Sequence, residues 1–365
     1  MAILRSTLRP LNDLLTSAFD VRIIRVGSRS HDGYHREHRQ EALAGLRRLE
    51  ESTGRRLSPR LQALADDYAV EVFGGKEYAP WLYVYSLVSG DFKEGWMPDN
   101  FFGLRVMPAV NKGLRGVTDF KTFSNVVLKT SALPDIACYL DGILYNRDFV
   151  PIDVRGLRDM VAQTSAHVFL KKDGSNQGRG LIKLPASAIN EDVFKKIGNC
   201  VIQPAIAQHE AFEQIISGSL ATVRITTVKN LDGSIDLRAS YLRLGRSGTA
   251  WVQANNSVRV AVVDRSGQLD CFGYTEDWFR WTEHPDTNVA FADRRIPRFD
   301  DAVELCVALH RQVPHITIIG WDVAISRDEE VVLLEWNGDH PGIKVSEAIT
   351  GPCFVGLNWE RFKAS

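Results

Sequence analysis

Apolar residues recur with two different periods along this chain, and the change of period divides it. Ala42, Leu43, Leu46 and Leu49 fall at helical spacing, as do Leu61, Leu64, Ala65 and Tyr68, so residues 1 to about 95 are predicted to be helical. Trp96-Met97-Pro98-Asp99-Asn100 reads as a turn, and Thr118-Asp119 as the start of a helix running through Phe120 to Lys129. Beyond residue 165 the texture is that of strands. His167–Lys171 runs into a Gly-rich turn and returns as Gly180–Leu184, and Cys200–Gln203 is stopped by Pro204. Thr222–Lys229 and Ile235–Leu244 form a hairpin candidate around Asp232-Gly233. Val258–Asp264 is a further strand turned by Arg265-Ser266-Gly267, and Asp300–Val313 is an amphipathic helix. Ile316–Ile325 and Val331–Asn337 close the sheet. Regular strand–helix–strand units are few, so an α/β (α+β) protein with largely antiparallel sheets is expected.

With 365 residues the chain has room for two or three packed units. Its 44% apolar and 24% charged content is that of a soluble globular protein. A formal net charge of −1 supplies no global field for nucleic acid, and no stretch reaches the 18 apolar residues of a membrane span. Ten Arg against five acidic residues between Arg22 and Arg60 read as a solvated helix face, or as a patch for an anionic partner. The N-terminus looks like a short helix rather than a signal peptide. Cys138, Cys200, Cys271, Cys306 and Cys353 are scattered singly, which fits a reducing cytoplasm better than a disulfide framework or a zinc site. The sequence is compatible with a homodimer and does not fix the oligomeric state.

The densest chemical signal is Ile318-Ile-Gly-Trp-Asp322-Val-Ala-Ile, followed after a polar turn by Val331-Val-Leu-Leu-Glu335-Trp-Asn337. Pairing Ser326 with Val331 sets Asp322 opposite Glu335, and alternation puts Asn337 on the same face. Opposed carboxylates among Ile, Val, Leu and Trp repel one another and are costly to bury. A magnesium ion among Asp322, Glu335 and Asn337 would resolve both problems. Alternatively, one carboxylate faces solvent or pairs with an arginine. Trp321 and Trp336 are expected on the opposite, core-facing side. A second signal is Leu170-Lys171-Lys172-Asp173-Gly174-Ser175-Asn176-Gln177-Gly178-Arg179-Gly180, between two strands. It is not a Walker or dinucleotide loop, because the helix those motifs require is missing. Either its backbone N–H groups, Lys171 and Arg179 cradle phosphates, or it is an ordinary hairpin loop.

The order of these pieces resembles the ATP-grasp superfamily, and more narrowly its sugar-transfer-associated group, related to glutamate ligases. Trp96-Met-Pro-Asp99, Gln208-His209, Ser219-Leu-Ala-Thr-Val-Arg224, Leu242-Arg-Leu-Gly245, His284-Pro-Asp-Thr287 and Gly320-Trp-Asp322 carry the narrower likeness, over roughly residues 70 to 345. The resemblance implies two lobes clasping ATP: a helical region 1–115, a small lobe 116–203 with a Gly-rich flap, and a C-terminal lobe 204–365 with the metal site. It implies nucleotide contacts from Lys121, Lys171, Gly174, Ser175, Gly178, Gly180 and the hinge Gln203-Pro204-Ala205-Ile206. It also implies magnesium on Asp322, Glu335 and Asn337, with Arg224, Arg179 and Arg243 at the reacting groups. The expected activity is an ATP- and Mg2+-dependent carboxylate–amine ligase using small-molecule carboxylate and amine substrates. A small-molecule kinase or a nucleotide-binding module without turnover are the alternatives. His209 and His340 are expected to be structural.

Overall fold

The computed structural model describes residues 31–175, 180–249, 251–252 and 256–363. The short helix expected at the N-terminus, and Gly178 and Arg179 of the Gly-rich loop, lie outside the described residues.

Three helices, His31–Thr53, Pro59–Tyr68 and Ala79–Ser89, open the described chain. Pro59 starts the second, where Ser58 accepts a hydrogen bond from the Leu61 N–H; proline lacks only an N–H that this position does not need. The third is apolar all round and accordingly buried all round, with Trp81, Leu82, Val84 and Tyr85 fully inside.

Two stretches differ from the sequence expectation. Only Trp96–Pro98 is irregular; Asp99 already begins a helix, and the segment is interior, with Trp96 and Asp99 buried. The helix expected from Thr118 starts later. Lys112–Asp119 and Lys121–Phe123 are 3₁₀ turns, and the α-helix covers Ser124–Leu128. Phe120 separates them with φ −88° and ψ 87°, which breaks helical hydrogen bonding and turns its ring outward, 56% exposed.

Thirteen described strands form two sheets. The first contains β1 (Ala137–Leu140), β2 (Ile143–Asn146), β3 (Pro151–Ile152), β4 (His167–Lys172), β5 (Leu181–Pro185) and β6 (Cys200–Pro204), in the order β3-β2-β1-β6-β4-β5. The second contains β7 (Thr222–Lys229), β8 (Ile235–Leu244), β9 (Val258–Val262), β10 (Leu269–Tyr274), β11 (Arg280–Trp281), β12 (Ile318–Ile325) and β13 (Val331–Asn337), in the order β11-β10-β9-β8-β7-β12-β13. Every pairing is antiparallel, as expected.

Alternation along the strands places the cores. Helices Val154–Ala162 and Glu191–Ile197 cover the first sheet through Leu157, Val161 and Phe194 against Val168, Leu170 and Ile202. Helix Phe299–Gln312 covers one face of the second through Phe299, Ala302, Cys306 and Leu309 against Val223, Ile225, Trp321 and Leu333. Trp321 and Trp336 stack in that core, 6.0 Å apart, pointing away from the acidic face as the strand period requires. On the other face the N-terminal helices share a core with Val228, Ala239 and Ile318. The remainder of that face fronts a cleft toward the first sheet.

Candidate active site

Every second residue of the central strands is withheld from the core, and these residues line the cleft in rows. Glu335 of β13 pairs with Asp322 of β12, Asp322 with Arg224 of β7, and Arg224 with Tyr241 of β8. One row further, Arg243 of β8 pairs with Arg259 of β9. The cleft they wall has a volume of about 560 Å³. Lys121, Lys171, Ser175, Gly180 and Gln203–Ile206 line it from the first sheet's side. Arg224, Arg243, Asp322, Glu335 and Asn337 line it from the second.

Asp322 does face Glu335, but the hairpin register is not uniform. At the turn Ile325 pairs with Val331, and a bulge between Asp322 and Val323 shifts the pairing so that Glu335 meets Asp322. Ser326 therefore does not pair with Val331. Its N–H bonds Glu330 instead, at 2.9 Å, and the extra residue Leu334 is absorbed in the bulge. The displaced Leu334 carbonyl accepts a hydrogen bond from Lys171 Nζ at 3.1 Å. This contact joins β4 of one sheet to β13 of the other.

The charge conflict inferred from the sequence is met by two cationic side chains. Arg224 grips Asp322 with two hydrogen bonds, Nε to Oδ1 at 2.6 Å and Nη2 to Oδ2 at 2.9 Å. Lys121 Nζ stands 3.7 Å from Glu335 Oε1. Burial alone would raise the Asp322 carboxyl, but Arg224 and Arg243 outweigh it and hold the group below the usual range. Arg224 shows the mirror effect: burial opposes its charge, and Asp322 more than restores it. Repulsion between the carboxylates is thus no longer an argument for a cation by itself. The donor chemistry still fits magnesium. Asp322, Glu335 and Asn337 offer oxygen only on one cleft wall, and a carboxylate has about four acceptor positions, so pairing with Arg224 leaves room for an ion. Among the described residues no group of three or more His, Cys, Asp or Glu forms a softer metal site.

Lys121 and the start of the Gly-rich loop are pinned together. Lys121 Nζ donates to the Ser175 carbonyl at 2.7 Å, and Asp173 accepts from the N–H and hydroxyl of Thr122 at 3.0 and 2.6 Å. Gly174 departs from expectation. It supplies a left-handed turn with φ +67°, yet its N–H is bound to the Asp119 carbonyl and it does not line the cleft. Lys171 is half-buried, and desolvation pulls its ammonium below the usual lysine range against the attraction of Glu335 and Asp135. Gln203 Nε2 donates to Asp135 at 2.6 Å. The chain after β6 then crosses to the second sheet, with Gln208 bridging to Ser326.

His209 lies at the start of a short helix, where its Nδ1 accepts the Ala211 N–H. His340 reaches the cleft wall, 3.6 Å from Asp99. Tyr241, Arg259, Lys183 and Trp251 also line the cleft, and none of the four was expected there from the sequence. A signal for two of them was present. A lone Arg259 inside Val258–Val262 and a Tyr241 two positions before Arg243 both have the period of a wall facing away from the core.

A family model described as sugar-transfer associated ATP-grasp matches residues 152–358, more than half of the chain. No curated protein sequence matches it. Solved structures resemble it distantly. An ATP-grasp ligase, PsnB, complexed with a minimal precursor, Mg and ADP, is 12% identical with a TM-score of 0.40, covering 69% of this chain and 60% of that one. N5-carboxyaminoimidazole synthetase from Staphylococcus aureus, complexed with ADP, is 10% identical with a TM-score of 0.40, covering 66% and 52%. The biotin carboxylase domain of 2-oxoglutarate carboxylase from Hydrogenobacter thermophilus is 14% identical with a TM-score of 0.39, covering 67% and 44%. The match thus spans between two fifths and three fifths of each of these structures. By its two antiparallel sheets, its N-terminal helices and this family match, the chain belongs to the sugar-transfer associated ATP-grasp family.

Proposed function

We propose that this enzyme is an ATP-dependent carboxylate–amine ligase working through an acyl phosphate. The observation that carries the reading is the convergence, in one cleft between two sheets, of two lysines, Arg224 and an oxygen-only donor set on Asp322, Glu335 and Asn337. In this reading the nucleotide lies along the first sheet. The hinge backbone Gln203–Ile206 faces the base, and Lys121, Lys171, Ser175 and Gly180 face the phosphates; Gly178 and Arg179 belong to the same loop in sequence. Asp322, Glu335 and Asn337 would hold Mg2+, which when bound withdraws charge from the phosphate oxygens.

The substrate carboxylate oxygen attacks the γ-phosphorus and the bond to the β,γ-bridging oxygen breaks, releasing ADP. An amine then attacks the acyl carbon, the carbon–oxygen bond to phosphate breaks, and the amine's proton is lost. Arg224 balances the negative charge developing on the carboxylate and phosphoryl oxygens, and Arg243, one row further along the wall, anchors a substrate carboxylate. Positioning between two rigid sheets supplies much of the remaining acceleration. Acceptors in the amino-acid, peptide or amino-sugar class would place the enzyme in glycan or peptide biosynthesis. All five cysteines are free thiols, the state a reducing cytoplasm maintains. Among the described residues no helix is long and apolar enough to cross a membrane.

The test is ATP turnover with pooled carboxylic acids and hydroxylamine, which traps an acyl phosphate as a hydroxamate, followed by pooled amino acids and amino sugars as amines. Magnesium-dependent hydroxamate and ADP are expected together, and both should be lost in Glu335→Gln. A stable phosphorylated product that hydroxylamine does not divert would instead identify a kinase. ATP binding without ADP under every pool would leave a binding module.

A further inference from the structure

The cleft extends past Asp322 and Arg224 to a second cationic row that the ATP end of the reaction does not use. Arg243 and Arg259 are directly opposed on β8 and β9, the mirror image of the opposed carboxylates on β12 and β13. Two like charges so placed destabilise a strand pair unless something of opposite sign lies between them. Arg259 has Glu276, to which its Nη2 donates. Arg243 has no carboxylate within ion-pair range among the described residues, and the Tyr241 hydroxyl takes its Nη2 hydrogen bond at 3.2 Å.

The same wall carries buried donors without partners among the described residues. These are Arg243 Nε, Trp251 Nε1 and the Ser219 hydroxyl, and all three residues line the cleft. A buried donor left unmade costs on the order of 1–3 kcal/mol, and folded proteins keep few of them. Several in one wall, around an unbalanced guanidinium, mark the place of an acceptor-rich ligand. Two neighbouring groups report the same positive potential. Burial pulls the Arg259 guanidinium down to about 10, helped by repulsion from Arg243 and Arg224. Burial would raise the Tyr241 hydroxyl, yet Arg243, Arg224 and Arg259 together hold it below the usual tyrosine range.

We propose that Arg243 and Arg259, with Trp251 and Ser219, hold a second anionic group of the substrate, so that the acid activated in this cleft is a dicarboxylate or a phosphorylated carboxylic acid rather than a monocarboxylate. The inference rests on the ligase reading only in naming the other anionic group as the carboxylate that is phosphorylated. Arg243 lies two residues along and one strand across from Arg224, so the anchors of the two groups are separated by roughly 8 Å at the backbone. Such spacing favours a substrate whose anionic ends are several bonds apart.

Calorimetric titration tests this without knowledge of the natural substrate. Glutarate, 4-phosphobutyrate and butyrate are titrated into the protein, first alone and then loaded with Mg2+ and a non-hydrolysable ATP analogue. One or both dianions are expected to bind about 10- to 100-fold more tightly than butyrate, the range of one charge-assisted hydrogen bond. Comparing glutarate with 4-phosphobutyrate distinguishes a carboxylate from a phosphate in the second site. The preference should vanish in Arg243→Gln and survive in part in Arg243→Lys, which keeps the charge and guards against misfolding. Equal binding of butyrate, no binding of any of the three, or an undiminished preference in folded Arg243→Gln overturns the proposal. Failure of the ATP analogue to bind would count against the ligase reading alone, because the titrations on the unloaded protein still stand.

Discussion

Arg224 decides more of this site than any other side chain. It is buried, it neutralises Asp322 through a two-point grip, and it ties the Pro341 carbonyl to the sheet. Truncation would leave a buried carboxylate unpaired, and Arg224→Ala is expected to cost about 3–5 kcal/mol in urea denaturation. Arg224→Lys should recover only part, because an ammonium cannot reproduce the fork. A second residue-scale expectation concerns His310. Its Nε2–H donates to the Ile316 carbonyl at 2.8 Å, and its Nδ1 accepts the Thr227 hydroxyl at 2.7 Å. Thr227 in turn accepts the Trp321 indole N–H. Burial pushes the imidazole down to about 4. Between pH 6.5 and 4 the unfolded chain therefore binds a proton that the folded one refuses, and stability falls as pH falls. Measured by denaturation, the stability of native protein minus His310→Asn should shrink by about 1.4 kcal/mol per pH unit on acidification through that window.

At the scale of elements, the β12–β13 hairpin works because three features agree: alternation, the bulge at Leu334, and Gly320. A Cβ on Gly320 would stand 2.7 Å from Pro341 Cβ and 3.0 Å from Arg224 Nη1. Glycine is required there because the Pro341 segment crosses the strand at backbone distance. Gly320→Ala is expected to destabilise by about 1–3 kcal/mol by overpacking. Gly113→Ala, with open space around it and no positive φ, should not destabilise; thermal denaturation of both checks the contrast. The strand bounds Thr222–Lys229, Ile235–Leu244 and Val331–Asn337 were legible because apolar period and turn residues agree there. The segment 112–128 was not. Its apolar residues have a helical period, but the local break at Phe120 positions Lys121 against Ser175 and Glu335, and that requirement comes from another part of the chain.

Over the whole molecule, the helices that open the chain are not an appendage. Trp81, Trp96, Phe101 and Met107 share one core with Val228, Ala239, Ile318 and Phe354. Removing residues 1–115 would expose that face of the second sheet. The fragment 116–365 is therefore expected to lose cooperative unfolding by circular dichroism, even though it retains every proposed nucleotide and metal residue. Asp99 extends the same dependence to the cleft, since this buried carboxylate lies within 3.6 Å of His340 and 3.7 Å of His38.

The sequence by itself determined the antiparallel sheets, the core-facing tryptophans and the acidic face carrying Asp322, Glu335 and Asn337, because strand alternation and turn chemistry are local. It also revealed the Lys171 strand and loop through their order along the chain. Only the tertiary structure decided that Asp322 is gripped by Arg224, that Lys171 is held by a bulged carbonyl of the other sheet, and that Arg243 stands opposite Arg259. Those pairings join residues between 16 and 163 positions apart, and neither register nor charge balance across such separations is written in any local period.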